Sequence, residues 1–170
     1  MMKIMFLYVP EFLCPEDRRS VHDDLSRTLF SEENNPLARG RRTSRVKPGS
    51  LTHKVFTSPQ LTEWFGRIFG PVSPGAQHIP IEYREYPTGS AGMEWHTDTP
   101  LIGRQIECVY TVQNTSDSVT LYKDFFGRTH RQWTEPGSLV VVRADGVEHA
   151  VTPVTTGRRT IVKFVFLVDP

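Results

Sequence analysis

The sequence predicts a mainly β domain, a double-stranded β-helix (jelly roll) with two buttressing N-terminal helices. Eight short runs rich in Val, Ile, Thr, Tyr and Phe lie between residues 79 and 168, separated by Gly, Pro, Asn or Asp. No helical periodicity lies between these runs, whereas two amphipathic patterns precede residue 70. The length of 170 residues fits one domain, spanning 1–170.

The composition fits a folded protein and carries almost no net charge. Hydrophobic residues make up 38% of the chain and aromatic residues 11%, which is enough to build a core. The 20 Lys and Arg nearly balance the 19 Asp and Glu. This balance gives no signal for a protein that coats nucleic acid or an anionic membrane, and we expect neither partner.

Two isolated cysteines and the first residues indicate a cytoplasmic protein, and we also expect a monomer. Cys14 and Cys108 are too few for a disulfide framework and lack metal-ligand spacing, so reduced thiols are expected. The apolar run 4–9 is shorter than a secretory signal and is followed by Pro10. No stretch approaches the ~18 apolar residues that a membrane span needs.

The first predicted helix covers residues 15–30. It begins with Pro15 and two acidic residues, which favour a helix N-terminus, and it places Val21, Leu25 and Leu29 on one face. The second covers 58–69, where Ser58 is a candidate N-cap and Gly70 ends the pattern. Both are expected to pack against the sheets.

The β-type runs alternate apolar and polar residues or are continuously apolar, as strands require. They cover 79–86, 93–98, 106–113, 119–123, 129–133, 139–143, 149–154 and 160–168. Residues 1–9 and 51–56 are expected to add edge strands.

A basic segment, 36–50, lies between the predicted helices. It carries Arg39, Arg41, Arg42, Arg45 and Lys47. A solvated loop is the simplest interpretation. The functional alternative is a mobile flap over a site, whose deletion would reduce substrate turnover but spare cosubstrate binding.

His96 and Asp98 form the most informative pair of residues. In a strand, residues i and i+2 project to the same face, so the imidazole and the carboxylate can reach one ion. His149 supplies a third donor, and two imidazoles with one carboxylate form the facial triad of non-haem Fe(II) oxygenases. His22 and Asp24 repeat the spacing, but in a predicted helix, where the two side chains diverge.

Arg158 lies nine residues after His149, at the start of the last predicted strand. A guanidinium at that depth suits bidentate binding of a carboxylate. Arg159 is then expected to face the other way. Asp145 or Glu148 is a candidate partner that orients His149.

These motifs resemble the 2-oxoglutarate- and Fe(II)-dependent dioxygenases, in particular the prolyl 4-hydroxylase-like group, over nearly the whole chain. The similar segments are Glu-Phe-Leu-Cys-Pro-Glu-Asp at 11–17, Arg-Thr-Ser at 42–44, Tyr-Pro-Thr-Gly at 86–89, His-Thr-Asp at 96–98, Glu-Pro-Gly-Ser-Leu at 135–139 and the stretch from 149 to Arg158.

The resemblance implies that His96, Asp98 and His149 bind Fe(II). It also implies that Arg158 binds the distal carboxylate of 2-oxoglutarate, and that Tyr86 lines the same pocket. Tyr110 and Thr111, where the family has a tyrosine, are assigned to this pocket as well. Met93 stands where relatives often have an aromatic residue. This departure and the one at Thr111 bear on prolyl specificity.

The implied activity is hydroxylation of an unactivated C–H, with O2 as cosubstrate, release of succinate and CO2, and support by ascorbate. A prolyl or other amino-acid side chain, peptidyl or free, is the first expected substrate. The alternatives are a related oxygenase acting on a small metabolite or nucleobase, and a non-catalytic jelly-roll binding module.

Overall fold

The computed structural model describes residues 6–169, which form three α-helices and twelve β-strands. The helices are α1 (Pro15–Leu25), α2 (Leu51–Phe56) and α3 (Pro59–Phe69). The strands are β1 (Phe6–Val9), β2 (Ser31–Glu32), β3 (Arg42–Arg45), β4 (Val72–Pro74), β5 (Glu82–Tyr86), β6 (Met93–His96), β7 (Arg104–Asn114), β8 (Thr120–Lys123), β9 (Thr129–Gln132), β10 (Leu139–Arg143), β11 (His149–Val151) and β12 (Arg159–Val168). None of these helices is long and apolar enough to span a membrane.

The strands form two antiparallel sheets. The large sheet has the order β1-β10-β7-β12-β5-β3-β2, with β4 paired to β12, and the small sheet has the order β6-β11-β8-β9. Antiparallel pairing throughout and the dominance of strands confirm the predicted mainly β class.

Alternation along β12 separates the core from a cavity. Val162, Phe164 and Phe166 face the helices, where the ring centroid of Phe65 in α3 lies 4.3 Å from that of Phe166. The intervening side chains, among them Ile161 and Lys163, line a cavity between the two sheets. Because side chains alternate along β12, one face of the large sheet packs in the core and the other lines the cavity.

All eight predicted runs contain a strand, although five of the strands are shorter than predicted, β8 and β9 by one residue each. β5 begins at Glu82, β6 ends at His96 and β11 ends at Val151. The edge strand predicted at 1–9 is confirmed as β1, and its residues 1–5 lie outside the described residues. Strands β2, β3 and β4 were not predicted.

The helix predictions need two corrections. α1 ends at Leu25, and Leu29 is 89% exposed rather than packed. Residues 51–56 form α2, so the edge strand predicted there is wrong. The physical reason is Ser50, whose hydroxyl accepts a hydrogen bond from the His53 backbone N–H (3.3 Å) and caps the helix. The helix predicted at 58–69 is confirmed as α3, with Ser58 as its cap.

The prediction of a solvated loop at 36–50 is also wrong in part. Residues Arg42–Arg45 form β3 and pair with β5, so the segment belongs to the large sheet. Arg41 is 1% exposed. Deleting 36–50 would therefore remove a strand and a buried arginine, and would not test a flap.

Gly92 sets the approach of β6 to β11. Its φ is 74°, and a Cβ there would lie 2.1 Å from the backbone oxygen of Val151. We expect Gly92→Ala to lower the free energy of unfolding by about 3 kcal/mol or more, since the backbone strain of about 1–2 kcal/mol is added to a clash between strands. Urea unfolding measures this loss.

Gly49→Ala is the matched control. Gly49 has a similar φ of 80°, but no atom lies within 4 Å of its added Cβ. Gly49→Ala should lower the free energy of unfolding by the backbone strain alone, about 1–2 kcal/mol. Equal losses in the two variants would contradict a close approach of the strands at Gly92.

Candidate metal centre

His96 and His149 are brought together by the pairing of β6 with β11. The two residues lie directly opposite each other in the register, and their ring centroids are 4.3 Å apart. Asp98 follows two residues after His96, where the backbone has left β6. Its carbonyl accepts a hydrogen bond from the Asp145 N–H (2.7 Å), which fixes the turn that presents its carboxylate.

The three side chains offer converging ligand atoms. The Asp98 carboxylate oxygens lie 3.6 Å from His96 Nε2 and 3.4 Å from His149 Nε2. One donor atom from each residue lies within 4.8 Å of the others. All three side chains are largely buried, so the site is shielded but reachable from solvent.

Backbone carbonyls orient both imidazoles. His96 Nδ1 lies 2.7 Å from the Glu94 oxygen, and His149 Nδ1 lies 2.9 Å from the Val147 oxygen. A carbonyl only accepts, so each Nδ1 carries the hydrogen and each Nε2 presents its lone pair to the site.

Neither Asp145 nor Glu148 orients His149, which corrects that expectation. The Asp145 carboxylate lies 3.6 Å from Arg143 Nε, and Glu148 forms an ion pair with Lys123. His149 Nδ1 bonds the Val147 carbonyl instead, so neither carboxylate contacts the ring.

The local electrostatics favour an ionised Asp98 and a neutral His149, as a metal requires, and act in the opposite direction at His96. Burial works to raise the pKa of Asp98, but the adjacent imidazoles of His96 and His149 hold it below its ordinary value. Burial lowers the pKa of His149. For His96, burial lowers the pKa, but the contacts with Asp98 and the Glu94 carbonyl raise it overall. An ionised carboxylate between imidazole donors fits a divalent metal such as Fe(II).

Arg159 lines the same cavity as the three donors. It is 2% exposed, and its Nη1 donates to Thr120 Oγ1 at 3.3 Å. Its Nε has no hydrogen-bond partner within the described residues. Burial lowers the pKa of this arginine. A buried cation with an unused donor fits an anionic ligand such as a carboxylate.

Arg158 lies on the opposite face of β12, which corrects the expected placement of both arginines. Its side chain is 65% exposed and lies 3.9 Å from Glu85 Oε2. It borders a separate cleft of about 400 Å³ on the helix side of the sheet. Since Phe164 and Phe166 face the helices, alternation places Arg158 on their side and Arg159 in the cavity.

Tyr86 lines the cavity, as expected. Two guanidiniums lie near its ring centroid, with the Arg41 Cζ at 5.7 Å and the Arg159 Cζ at 5.9 Å. Its hydroxyl accepts a hydrogen bond from Arg41 Nη1 at 3.1 Å. Tyr86 is therefore close to the donors and rigidly held.

Tyr110 and Thr111 do not line the cavity, and their expected placement is corrected. Tyr110 faces the helices, with its ring centroid 5.5 Å from that of Phe56, and burial raises its pKa to about 12. Thr111 is fully buried in β7 and lies outside the cavity lining. Side chains alternate along β7, and this alternation places Tyr110 on the face that packs in the core.

The sequence interpretation missed the contacts of four charged residues around the cavity. Arg41 was assigned to the solvated loop, and its partner Glu33 was not considered. Lys163 forms an ion pair with Glu107, and both line the cavity. A lysine inside the otherwise apolar run 160–168 was the available signal, because it marks the odd positions as the cavity face.

A facial set of two imidazoles and one carboxylate, inside a mainly β fold and beside a buried arginine, has the chemistry of a non-haem iron centre. No family model matches the sequence, and no curated protein matches it. Comparisons with solved structures are more informative.

A prolyl-4-hydroxylase from Pseudomonas putida matches with a TM-score of 0.76 and 15% identity, covering 97% of this chain and 93% of that one. An oxidoreductase of the 2OG-Fe(II) oxygenase family from Burkholderia pseudomallei gives 0.81 and 11%, covering 97% and 86%. A prolyl hydroxylase from Trichoplax adhaerens, in complex with a hypoxia inducible factor peptide fragment, gives 0.73 and 14%, covering 96% and 84%. The chain thus has the fold of the 2-oxoglutarate- and Fe(II)-dependent oxygenases, which confirms the resemblance at the level of the fold.

Proposed function

We propose that this protein is an Fe(II)- and 2-oxoglutarate-dependent dioxygenase that hydroxylates an unactivated C–H. The observation that carries the proposal is the convergence of His96, Asp98 and His149 in one cavity with Arg159. In this proposal the two sheets are the two sides of a double-stranded β-helix, and the cavity lies between them.

The chain's own residues bind and orient the reactants. His96, Asp98 and His149 would hold Fe(II), which with O2 supplies the oxidation of 2-oxoglutarate to succinate and CO2 and of the substrate C–H to an alcohol. Arg159 would bind a carboxylate of 2-oxoglutarate through its free Nε–H, and Tyr86 would contact the same molecule. This assigns to Arg159 the role that the sequence suggested for Arg158.

Apolar walls would keep water from the reacting atoms. The cavity is lined by Val109, Val140, Val142, Val151 and Ile161 around its polar residues. Low polarity strengthens the interaction between Arg159 and a carboxylate. It also shields reactive species from side reactions.

The mouth of the site supports an extended, peptidyl substrate. Tyr122 in β8 pairs with His149, so the β8–β9 turn extends from the end of the small sheet that carries Asp98. In that turn Phe125 and Phe126 are 81% and 80% exposed, and in the loop after Asp98 Leu101 is 74% exposed. Exposed apolar side chains beside a site are typical of a docking surface.

Charge at this mouth favours acidic residues in the substrate. The Cζ of Arg128 lies 5.9 Å from the ring centroid of Phe126, and Arg104 directly follows the loop that contains Leu101. We therefore propose a prolyl or other amino-acid side chain in an extended peptide with apolar and acidic neighbours. The cytoplasmic, monomeric state stays a prediction.

Succinate formation by the purified protein tests the function. The assay contains Fe(II), ascorbate, 2-oxoglutarate and O2, with a proline-containing acidic peptide, a lysine-rich peptide of matched length, or free proline. We expect the acidic peptide to stimulate succinate formation most. Stimulation by free proline alone would contradict the peptidyl substrate, and absence of both iron binding and succinate would favour the non-catalytic module.

A further inference from the structure

Tyr86 is held by a second buried arginine that the proposed function does not use. Arg41 comes from the segment before β3 and is 1% exposed, whereas Arg159 comes from β12, where it is the cross-strand partner of Tyr86. Two buried guanidiniums on one phenol ring need a reason, because burying cations costs free energy.

Arg41 is fixed by contacts at both ends of its guanidinium. Glu33 accepts two hydrogen bonds from it, at 2.5 Å from Nε and 2.7 Å from Nη2. Nη1 then points at the Tyr86 hydroxyl, 3.1 Å away, and lies 3.4 Å from Met93 Sδ. The bidentate pair with Glu33 fixes the plane of the guanidinium and so the direction of Nη1.

This contact determines where the phenol hydrogen can go. A guanidinium has donors and no acceptor, so the Tyr86 oxygen must accept from Arg41, and its own hydrogen must point elsewhere. Within residues 6–169, Arg41 is the only hydrogen-bond partner of this hydroxyl. The Tyr86 O–H and the Arg159 Nε–H therefore both lack an acceptor within residues 6–169, and both residues line the cavity.

We infer that Arg41 is a positioning residue which, held by Glu33, turns the Tyr86 hydroxyl so that it donates a hydrogen bond to a carboxylate oxygen of the ligand bound by Arg159. This inference rests on the proposed function, with 2-oxoglutarate as that ligand. The Glu33 carboxylate compensates the charge of Arg41, which leaves the charge of Arg159 for the ligand.

A double-mutant cycle tests the inference without turnover. The dissociation constant of 2-oxoglutarate is measured by calorimetry on protein loaded with Mn(II), for the wild type, Tyr86→Phe, Arg41→Lys and the double variant. Tyr86→Phe should weaken binding about 10-fold, since a hydrogen bond to a charged group is lost. Arg41→Lys should weaken it about 5-fold, because lysine cannot be held in one plane by Glu33.

The inference predicts that the effects of Tyr86→Phe and Arg41→Lys on binding are not additive. In the Tyr86→Phe background, Arg41→Lys should change binding less than about twofold, since no hydroxyl remains to be turned. Arg42→Lys is the matched control: this neighbour is partly exposed, bonds Glu85 instead, and should bind like the wild type. If Arg41→Lys does not fold, Glu33→Gln replaces it, and the same non-additivity with Tyr86→Phe is expected.

Additive losses would overturn the inference, because Arg41 would then act independently of the Tyr86 hydroxyl. An unchanged dissociation constant in Arg41→Lys would overturn it as well. Both results leave the proposed function standing, since the wild type binds 2-oxoglutarate. No binding of 2-oxoglutarate by the wild type would remove the proposed function and this inference together.

Discussion

Asp98→Ala should abolish Fe(II) binding and, with it, succinate formation. Asp98 provides the only anionic donor of the three, and its two oxygens lie between the imidazoles of His96 and His149. Loss of residues that merely orient a ligand costs 10–100-fold in metal affinity, so loss of the carboxylate itself should cost at least about 100-fold. Equilibrium dialysis with Fe(II) under anaerobic conditions measures the affinity, and succinate formation is measured in parallel.

Asp145→Asn is the matched control for this variant. Asp145 is near the site in sequence and bonds the Asp98 carbonyl only through its backbone N–H. Its φ of 62° is one that asparagine tolerates, so the turn should persist. Iron affinity close to the wild-type value is expected. If Asp98→Ala retained wild-type affinity, Asp98 would not be a ligand and the proposed centre would be wrong.

The strands and the three donors could be predicted because they depend on local pattern. β-branched and aromatic runs between turn residues indicate strands wherever they pair. The spacing of His96 and Asp98 needs only the strand period to predict a shared face. His149 was predicted as the third donor that completes a facial set with this pair, and the register of β6 with β11 sets it opposite His96.

The two arginines could not be told apart from spacing alone. Their faces depend on which side of β12 the helices cover, and that is decided by Phe65 of α3 stacking on Phe166. Lys163 indicates which face of β12 lines the cavity, because a cation in an apolar strand faces polar partners. Its partner Glu107 lies in another strand, so the sequence does not show the pair.

Segment 36–50 was misread for a related reason. Five basic residues suggest solvation when each is considered alone. Arg41 is nevertheless buried, because Glu33 and Tyr86 meet it from two other parts of the chain. Partners that are distant in sequence thus reverse the local expectation for a charged residue.

Arg159→Met should weaken the binding of 2-oxoglutarate without lowering the stability of the fold. We expect the KM for 2-oxoglutarate to rise about 10- to 100-fold, since charge-assisted hydrogen bonds to one carboxylate are lost. Arg158→Met, on the opposite face of the sheet from the cavity, is the matched control and should leave the KM within about twofold of the wild type. A larger effect of Arg158→Met would restore the assignment that the sequence suggested.

The free energy of unfolding of Arg159→Met without ligand should not fall, although its affinity for 2-oxoglutarate does. Within residues 6–169 no carboxylate pairs with Arg159, and burial lowers its pKa, so the folded protein without ligand holds a cation at a cost in free energy. Methionine fills similar space without charge, so Arg159→Met should keep or raise the free energy of unfolding measured in urea without 2-oxoglutarate. With Mn(II) present in both proteins, the further gain in stability on adding 2-oxoglutarate should be larger for the wild type than for Arg159→Met. A residue retained only for packing would lose stability on this substitution, so a destabilised Arg159→Met with an unchanged KM would contradict the ligand-binding role.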